Sequence, residues 1–315
     1  MKNIAIVIAT YNGMKWIDEC LKSVYESSIS AELLVIDNNS SDLTVNFIRE
    51  NFPQTIIFEQ KENLGFGKAN NIGISYALKN NFDYVFLLNQ DAFVEPNTLR
   101  DLIKTAESNP EYGILSPIQK DYSGKFLESS FHTFMTNDYT KSFYSDYVLQ
   151  NKIKEIYDVD FVQAAAWLLP LNTIKKIGGF DPVFFHYGED NNYCQRVLYH
   201  KLKIGVVSGT FIRHDSTKSL QKPIALFSDQ YFNIYKKRLA FKYADINEPL
   251  SKVHFSHELM QTYKMLFFNI LVLNFQRVKG SIKQLSVLKK MWKLIKISRA
   301  KNVSVNSHYL NLDVK

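Results

Sequence analysis

The N-terminal third of the chain alternates short apolar runs with segments of helical periodicity, and this alternation limits the possible folds more than any other feature of the sequence. The runs IAIVIA, ELLVID, TIIFEQ and YVFLLN are typical of strands buried on both faces. Each is followed by a segment in which apolar residues recur every three or four positions, as at Ile17, Leu21 and Val24. Repeated β-loop-α units predict an α/β fold with a mostly parallel sheet flanked by helices.

Polar side chains directly follow these predicted strands. Ligands of open α/β sheets bind at the carboxyl ends of the strands, so we expect the polar side chains to line one crevice. They are Thr10, Tyr11, Asp37, Asp42, Asn63 and Asp91. Beyond Pro117 the pattern loosens into a polar, aromatic-rich stretch over residues 121–160, which predicts acceptor-binding loops, before FVQAAAWLLP resumes as a strand.

Two of these loops allow more than one interpretation. Asp37, which is followed by NNSSD, is either a ligand-binding carboxylate or a cap for the next helix, although Asp42 lies nearer to that helix. NLGFGKANN does not match a phosphate-binding glycine motif. It places Gly65, Gly67 and Lys68 beside a helix start, where free amides favour anions, and a tight turn explains it equally well.

Four further residues have side chains suited to metal binding or proton transfer. Asp91 ends the apolar run YVFLLNQD, and because a buried unpaired carboxylate is costly, it requires a metal, a ligand or water. Glu189 and Asp190 begin a helical segment after an aromatic run, and they either complement the helix dipole or supply a general base of raised pKa. His214 follows KIGVVSGTFI and is either structural or a metal ligand together with Asp91.

Six motifs connect these residues to a known family. They are VIATYNG, ELLVIDNNSSD, NLGFGKANNIGI, FLLNQDAFVEP, GGFDPVFFHYGEDNNYCQR and RHDSTKS. In order and spacing they resemble the inverting family 2 glycosyltransferases of the GT-A (Rossmann-like) fold. The resemblance covers about residues 3–219 and is closest to the bacterial rhamnosyltransferase-like branch, which builds surface polysaccharides.

The resemblance implies a role for individual residues. Those implied at the donor nucleotide are Thr10, Tyr11, Asn12, Asp37, Asn63, Gly65, Lys68, Asn89 and Gln90. Those implied at the acceptor are Trp167, Gly179, Phe180 and Arg196. Asp91 and His214 would bind a divalent metal, Mg²⁺ or Mn²⁺, and Asp190, beside Glu189, would be the catalytic base. Asn89 departs from the family pattern, which has Asp at the first position of this DxD site, so metal affinity rests on Asp91, the phosphates and His214. Gln90 is interpreted as a spacer.

The resemblance implies a single displacement that moves a sugar from a UDP- or dTDP-linked donor to a hydroxyl of a glycan or a polyprenyl-diphosphate-linked glycan. A sugar-phosphate nucleotidyltransferase is an alternative, but the first loop, ATYNGMKW, lacks the glycine-rich basic signature that this class normally has. A non-catalytic sugar-binding protein is the second alternative. It would not need Asp91 and Asp190 together, so their presence favours an enzyme.

The chain is predicted to divide into a catalytic domain, residues 1–217, and a basic, aromatic-rich helical extension, residues 218–315. The nucleotide-sugar half of the catalytic domain is predicted at about residues 1–117 and the acceptor half at about 118–217. From Thr217 onward the chain carries 18 Lys and Arg against 5 Asp and Glu, whereas the rest carries 20 against 26. SIKQLSVLKKMWKLIKISRAK predicts either a membrane-surface helix or a helix packed on the catalytic domain. Its apolar stripe consists of Ile282, Leu285, Leu288, Trp292 and Ile295.

Location and partners are also constrained by the sequence. The apolar run in MKNIAIVIATYNG is too short for a signal peptide, and MLFFNILVLNF is shorter than a bilayer span. Cys20 and Cys194, the only cysteines, stand in no metal-ligand spacing, so no structural disulfide is expected. We therefore expect a cytoplasmic protein, peripheral on the inner face of the cytoplasmic membrane if the basic helix binds lipid. No known nucleic-acid module is recognised, so no nucleic-acid partner is expected.

Overall fold

The computed structural model describes residues 2–136, 140–185, 187–216, 223–306 and 308–311. The strands are β1 (Ile4–Thr10), β2 (Glu32–Asp37), β3 (Ile56–Glu59), β4 (Tyr84–Asn89), β5 (Ala92–Val94), β6 (Tyr112–Asp121), β7 (Ile156–Asp158), β8 (Ala166–Pro170) and β9 (Lys203–His214). The helices are α1 (Ile17–Tyr25), α2 (Thr44–Asn51), α3 (Phe66–Lys79), α4 (Thr98–Ser108), α5 (Ser129–Met135), α6 (Lys141–Val148), α7 (Leu171–Ile177), α8 (Glu189–Tyr199), α9 (Asp229–Tyr243), α10 (Lys252–Leu271) and α11 (Phe275–Asn302). The predicted domain boundary at residues 217 and 218 and the end of RHDSTKS lie outside the described residues.

The nine described strands form one sheet in the order β3-β2-β1-β4-β8-β6-β9-β5, with β7 paired to β9. Strands β1 to β4 pair in parallel, as do β6 and β9, whereas β8 is antiparallel to β4 and β6, and β5 and β7 are antiparallel to β9. The α/β class is confirmed, and the repeated β-loop-α pattern corresponds to the parallel side of the sheet. Because β8 runs against β4, its first residue, Ala166, lies beside Leu88 at the carboxyl end of β4.

Helices cover both faces of the sheet, and alternate residues of β1 point to opposite layers. Val7 belongs to one apolar cluster with residues of α3, α7 and α8, including Ile74 and Ile174. Ile6 belongs to the other cluster with residues of α1, α2 and α4, including Leu21. The loops that follow β1, β2 and β4 are therefore held at one edge of a packed three-layer core.

The C-terminal helices form a third apolar cluster. Leu285, Leu288 and Ile295 of α11 are buried, and the last two pack in one cluster with Leu239 of α9. Ile282 alone of the stripe is more than half exposed. The stripe that was a candidate membrane face is thus largely covered by protein, and the alternative of a packed helix is the correct one for it.

Residues beyond α11 return to the α/β core. The backbone N–H of Gly179 donates to the carbonyl of His308 at 2.9 Å. The backbone N–H of Asn311 donates to Oγ of Ser75 in α3 at 3.1 Å. The end of the predicted extension therefore packs against the same layer as α3 and α7. Within the described ranges, no helix combines the length and apolar character needed to cross a bilayer.

Candidate active site

The carboxyl ends of β1, β2 and β4 lie side by side. Thr10 pairs with Asp37 across β1 and β2, and Ala9 pairs with Asn89 across β1 and β4. The N–H of Asn89 donates to the carbonyl of Ala165, just before β8, at 2.9 Å. Three predicted site positions, 10, 37 and 89, thus meet at one edge of the sheet.

Gln90 fixes the loop that follows β1. Its Oε1 accepts hydrogen bonds from Oγ1 of Thr10 at 2.6 Å and from the N–H of Tyr11 at 3.0 Å, and its Nε2 donates to the carbonyl of Tyr11 at 3.3 Å. A Cβ at Gly13 would lie 2.6 Å from both Gln90 Oε1 and Thr10 Oγ1, so a larger residue there would displace this amide. The interpretation of Gln90 as a spacer is therefore wrong, because its side chain ties the end of β4 to the end of β1.

Asn12 joins the loops after β1 and β2. It adopts a positive φ of 48°, which Asn tolerates better than most residues. Its N–H donates to Oγ of Ser40 at 2.9 Å, and its Oδ1 accepts from the N–H of Ser41 at 2.8 Å. The Tyr11 side chain beside it is 46% exposed, so its ring is open to a ligand at this edge.

Asp37 has a free acceptor atom inside the protein. Its Oδ2 accepts the N–H of Ser40 at 3.1 Å, whereas Oδ1 is buried and has no partner among the described residues. Leu43 is the N-cap residue of α2 and makes no side-chain cap, and Asp42 is the carboxylate that contacts the helix start, where its Oδ1 accepts the N–H of Thr44 at 3.0 Å. A buried, unpaired carboxylate oxygen is costly, so Asp37 suits a ligand that donates a hydrogen bond.

The segment around Gly65 is a tight turn that approaches the loop before α8. Asn63 Oδ1 accepts the N–H of Gly65 at 2.9 Å, and Gly65 has a φ of 79°. A Cβ at Gly65 would lie 2.1 Å from the carbonyl oxygen of Phe185, so only glycine permits this approach. Lys68 is exposed on the first turn of α3, which leaves its predicted role beside the donor as a prediction.

Asp91 and His214 lie together where β5 pairs with β9. Nε2 of His214 is 3.5 Å from Oδ1 of Asp91. The Asp91 side chain is 24% exposed, whereas His214 is buried. The N–H of Asp215 donates to the carbonyl of Asp91 at 2.9 Å, and Oδ2 of Asp215 accepts from Lys15 Nζ and Trp16 Nε1, each at 2.8 Å. The start of α1 is thereby attached to this pair.

The Asp91 and His214 pair is compatible with a divalent metal. No group of three or more His, Cys, Asp or Glu side chains that could hold a metal occurs in the described part of the chain. The pair alone offers a carboxylate and an imidazole. Mg²⁺ in phosphate-handling sites takes one or two protein carboxylates and completes its shell with phosphates and water. These two residues therefore fit a metal whose remaining ligands come from a bound diphosphate.

Glu189 and Asp190 form an acidic pair at the start of α8. Glu189 is buried, and its burial, together with the neighbouring Asp190 carboxylate, raises its pKa to about 7. Burial also raises the pKa of Asp190, against the opposite effect of backbone hydrogen bonds from Asn191 and Ala164. Asp190 is hydrogen-bonded to the backbone of Ala164, and the next residue, Ala165, accepts the N–H of Asn89 at the end of β4. Asp190 therefore lies near the end of β4. A carboxylate of raised pKa is a stronger base for an acceptor hydroxyl.

The residues expected at the acceptor are structural. Trp167 and Phe180 are fully buried and their rings stack with centroids 6.1 Å apart. Arg196 is also buried, and its Nη2 donates to the carbonyl of Gly179 at 2.5 Å. A Cβ at Gly179 would collide with Oδ1 of Asn71 at 2.3 Å. The prediction that these four residues contact an acceptor is wrong, because all four are buried and support the loop before α8 from inside the protein.

Asp181 organises this loop, and no sequence pattern assigned it a role. Its Oδ2 accepts hydrogen bonds from Ser298 Oγ at 2.5 Å, Asn302 Nδ2 at 2.8 Å and the Tyr309 hydroxyl at 3.1 Å. Nη1 of Arg196 donates to Oδ1 of Asn302 at 3.3 Å. We call these five side chains the Asp181 cluster. Asp181 lies more than 100 residues from each of its three donors, so local patterns could not reveal the cluster; the single carboxylate within GGFDPVFF was the only signal.

Comparison with known proteins gives a consistent assignment. The profile of glycosyl transferase family 2 matches residues 5–166, just over half of the chain. The putative glycosyltransferase EpsH of Bacillus subtilis is 21% identical over 212 residues, which is 62% of this chain and 60% of EpsH. The N-acetylglucosaminyl-diphospho-decaprenol L-rhamnosyltransferase of Mycobacterium tuberculosis is 21% identical over 256 residues, 74% of this chain and 82% of the relative. The chain therefore spans less than two thirds of EpsH but most of the rhamnosyltransferase.

Solved structures with the same fold include two GT-A glycosyltransferases. S. aureus TarS 1-349 in complex with UDP-GlcNAc superposes with a TM-score of 0.53 and 14% identity, over 96% of this chain and 88% of TarS. GalNAc-T7 with UDP, GalNAc and Mn²⁺ superposes with a TM-score of 0.56 and 15% identity, over 78% of this chain and 51% of GalNAc-T7. The GT-A fold is confirmed. Since the family profile also covers more than half of its length, this chain belongs to glycosyl transferase family 2.

Proposed function

We propose that this family 2 protein is an inverting glycosyltransferase that moves a sugar from a UDP- or dTDP-sugar to a hydroxyl of a glycan or lipid-linked glycan. One observation carries the proposal. The Asp91 and His214 pair and the Asp190 carboxylate both lie near the end of β4, so a diphosphate position and a base share one edge of the sheet. A nucleotidyltransferase or a sugar-binding protein has no comparable support.

The free atom of Asp37 supports a pyrimidine nucleotide. Uracil and thymine rings both carry an imide N–H, and Oδ1 of Asp37 is a buried acceptor with no partner among the described residues. Tyr11, half exposed beside it, offers a ring on which a base can stack. TarS was solved with UDP-GlcNAc and GalNAc-T7 with UDP, which agrees with a uridine or thymidine donor.

In the proposed reaction the acceptor hydroxyl oxygen forms a bond to the anomeric carbon while the bond from that carbon to the diphosphate breaks. Asp190 takes the hydroxyl proton, and its raised pKa makes it a suitable base. Asp91 and His214 would hold a divalent metal, Mg²⁺ or Mn²⁺. When bound, the metal supplies positive charge beside the leaving diphosphate. GalNAc-T7, which shares the fold, was solved with Mn²⁺.

The acceptor class is proposed from the relatives. The name of the mycobacterial relative describes transfer to a sugar on diphospho-decaprenol. A sugar on a polyprenyl diphosphate, used in surface polysaccharide synthesis at the inner face of the cytoplasmic membrane, is the corresponding acceptor here. The transferred sugar is a hexose, with rhamnose as the first candidate to test.

Nucleotide release from a panel of donors tests the proposal. The protein is incubated with UDP-, dTDP- and GDP-sugars, each with Mn²⁺, Mg²⁺ or EDTA, and with a synthetic glycosyl-diphosphate-lipid acceptor. We expect UDP or dTDP release that requires metal and acceptor, and a product of inverted anomeric configuration by NMR. A retained configuration would exclude the single displacement, and pyrophosphate formation from a sugar phosphate and a nucleoside triphosphate would indicate a nucleotidyltransferase.

A further inference from the structure

The turn between α10 and α11 exposes a contiguous apolar surface. Seven of the nine residues at 267–275 are apolar and at least half exposed: Phe267, Phe268, Ile270, Leu271, Val272, Leu273 and Phe275. We call this set the hairpin tip. Contiguous exposed apolar surface of this kind marks a site that binds a membrane or another protein.

Polar side chains of the same hairpin lie inside it. The buried residues of α10 are Thr262 and Asn269, and Nδ2 of Asn269 donates to Oγ of Ser281 in α11 at 3.0 Å. Helix pairs in lipid place small and polar residues between them and apolar residues outside. This end of the hairpin therefore has the polarity of a lipid-facing element, whereas the three main clusters of the protein core are apolar.

The turn itself is ordered by hydrogen bonds. The N–H groups of Leu273 and Asn274 donate to the carbonyls of Ile270 and Asn269, each at 3.0 Å, and Oδ1 of Asn274 accepts the N–H of Arg277 at 3.0 Å. Leu273 has a φ of 53°, in a region that favours glycine or asparagine. An exposed leucine is thus held at a position where glycine or asparagine would fit the backbone better.

The charge around the tip selects an anionic partner. Residues 259–312 contain 10 Lys and Arg and no Asp or Glu. Lys264, Arg277 and Lys279 are exposed next to the tip in sequence. Basic residues near an anionic lipid surface each contribute about 1 kcal/mol to binding, so the charge favours lipid over an apolar protein groove.

We propose that the hairpin tip inserts into the interface of an anionic phospholipid bilayer, with Lys264, Arg277 and Lys279 against the lipid phosphates. This surface is separate from the α11 stripe, which α9 covers. Interfacial elements bury their apolar face by about 5–10 Å, which matches a turn that enters the headgroup region without crossing the membrane. The inference rests on the hairpin alone and does not depend on the proposed reaction.

Co-sedimentation with vesicles tests the insertion. The full chain is mixed with vesicles of phosphatidylglycerol and phosphatidylcholine, and the partition coefficient is compared with that of the triple variant F267S/L271S/F275S. We expect a loss of at least about 100-fold, since each of these side chains contributes more than 1 kcal/mol when buried. The matched control is F126S/V148S/V253S, which changes three equally exposed apolar residues elsewhere and should bind like the wild type. R277E/K279E should weaken binding at least about 30-fold on the anionic vesicles and little on phosphatidylcholine alone.

A second readout locates the tip. Cys20 and Cys194 are both buried, so a single L273C variant can be labelled with an environment-sensitive fluorophore, whose emission should shift to the blue on anionic vesicles.

Equal partition of the triple variant and the wild type would overturn the proposal. A dimer seen by sedimentation velocity without lipid, and absent in the triple variant, would also overturn the proposal, because the tip would then bind a second copy of the chain. Transfer to a water-soluble acceptor should be unchanged in the triple variant, and this separates the membrane proposal from the catalytic one.

Discussion

The proposed donor side and the proposed acceptor side of the site are built differently. On the donor side, loops of neighbouring strands bind one another: Gln90 holds Tyr11, and Asn12 holds Ser41. On the acceptor side, the loop that leads to Glu189 and Asp190 is anchored by the Asp181 cluster, whose other members include residues of α11 and the C-terminal segment. Apart from His214, the residues of the proposed donor side therefore lie within the first half of the chain, whereas the proposed acceptor side depends on residues 298–309.

Because of this difference, substitutions on the two sides should have different effects. A change at the donor loops alters local hydrogen bonds and should act on donor affinity. A change in the Asp181 cluster leaves a buried ionic group without partners and should act on stability first, and through it on the position of Asp190. The four predictions below test this division, from the largest expected effect to the smallest.

Asp190→Asn should affect the chemical step alone. The variant keeps the shape of the side chain but cannot accept the acceptor proton, so turnover should fall by about 100-fold to 10,000-fold. Donor affinity, measured by calorimetry with the UDP- or dTDP-sugar, should stay within about twofold, because Asp190 lies on the acceptor side. Asp101→Asn, an exposed change on α4, is the control. Turnover like that of the control would remove Asp190 from the role of base.

Asp181→Ala should destabilise the whole fold. It removes the negative charge that offsets the burial of the Arg196 guanidinium, and it leaves the Ser298 hydroxyl without its acceptor. Asn302 and Tyr309 each lose one of two acceptors. Removing one member of a buried ionic group costs about 3–5 kcal/mol, which urea denaturation measures as the free energy of unfolding. The control is Asp229→Ala, a fully exposed carboxylate that pairs with Lys283 on the surface, and it should lose less than about 1 kcal/mol.

The same comparison explains what the sequence revealed. Strand-end residues such as Thr10, Asp37 and Asp91 could be placed together because parallel strands align their carboxyl ends and the motifs are local. The role predicted for Trp167 and Arg196 was wrong because the sequence around an aromatic or basic residue looks the same whether its side chain faces a ligand or the core.

The contacts of the C-terminal half were also beyond local patterns. Burial of Arg196 depends on Asn302 and Asp181, and the pairing of these distant residues follows from tertiary packing alone. The lysine-rich periodicity of α11 was identified, but periodicity does not show which neighbour covers the apolar face. In the structure α9 covers it, while the tip next to it stays exposed.

Glu189 should make stability fall as pH rises. Its pKa is raised from 4.5 to about 7 in the folded protein. Between about pH 4.5 and 7 the folded chain therefore binds more protons than the unfolded chain, and the free energy of unfolding decreases across this window and no further above it. A shift of this size corresponds to about 3 kcal/mol. Glu189→Gln should flatten the dependence measured by urea denaturation from pH 5 to 8, whereas the exposed change Glu62→Gln should leave it intact.

Gln90→Leu should affect the donor side alone and give the smallest change. It removes the acceptor for the Thr10 hydroxyl and the Tyr11 N–H while keeping the volume of the side chain nearly constant. The loss of the two hydrogen bonds to Oε1 costs about 1–2 kcal/mol, and the longer bond from Nε2 to the Tyr11 carbonyl is lost with them. The KM for the donor should therefore rise at least about tenfold while kcat changes little. Gln54→Leu, on an exposed loop, serves as the control. If kcat fell with an unchanged KM, the loop after β1 would contribute to the chemical step, and the separation between a donor side and an acceptor side would not hold at β4. If instead Gln90→Leu changed only KM and Asp190→Asn changed only kcat, the two sides would act independently, although both meet at the end of one strand.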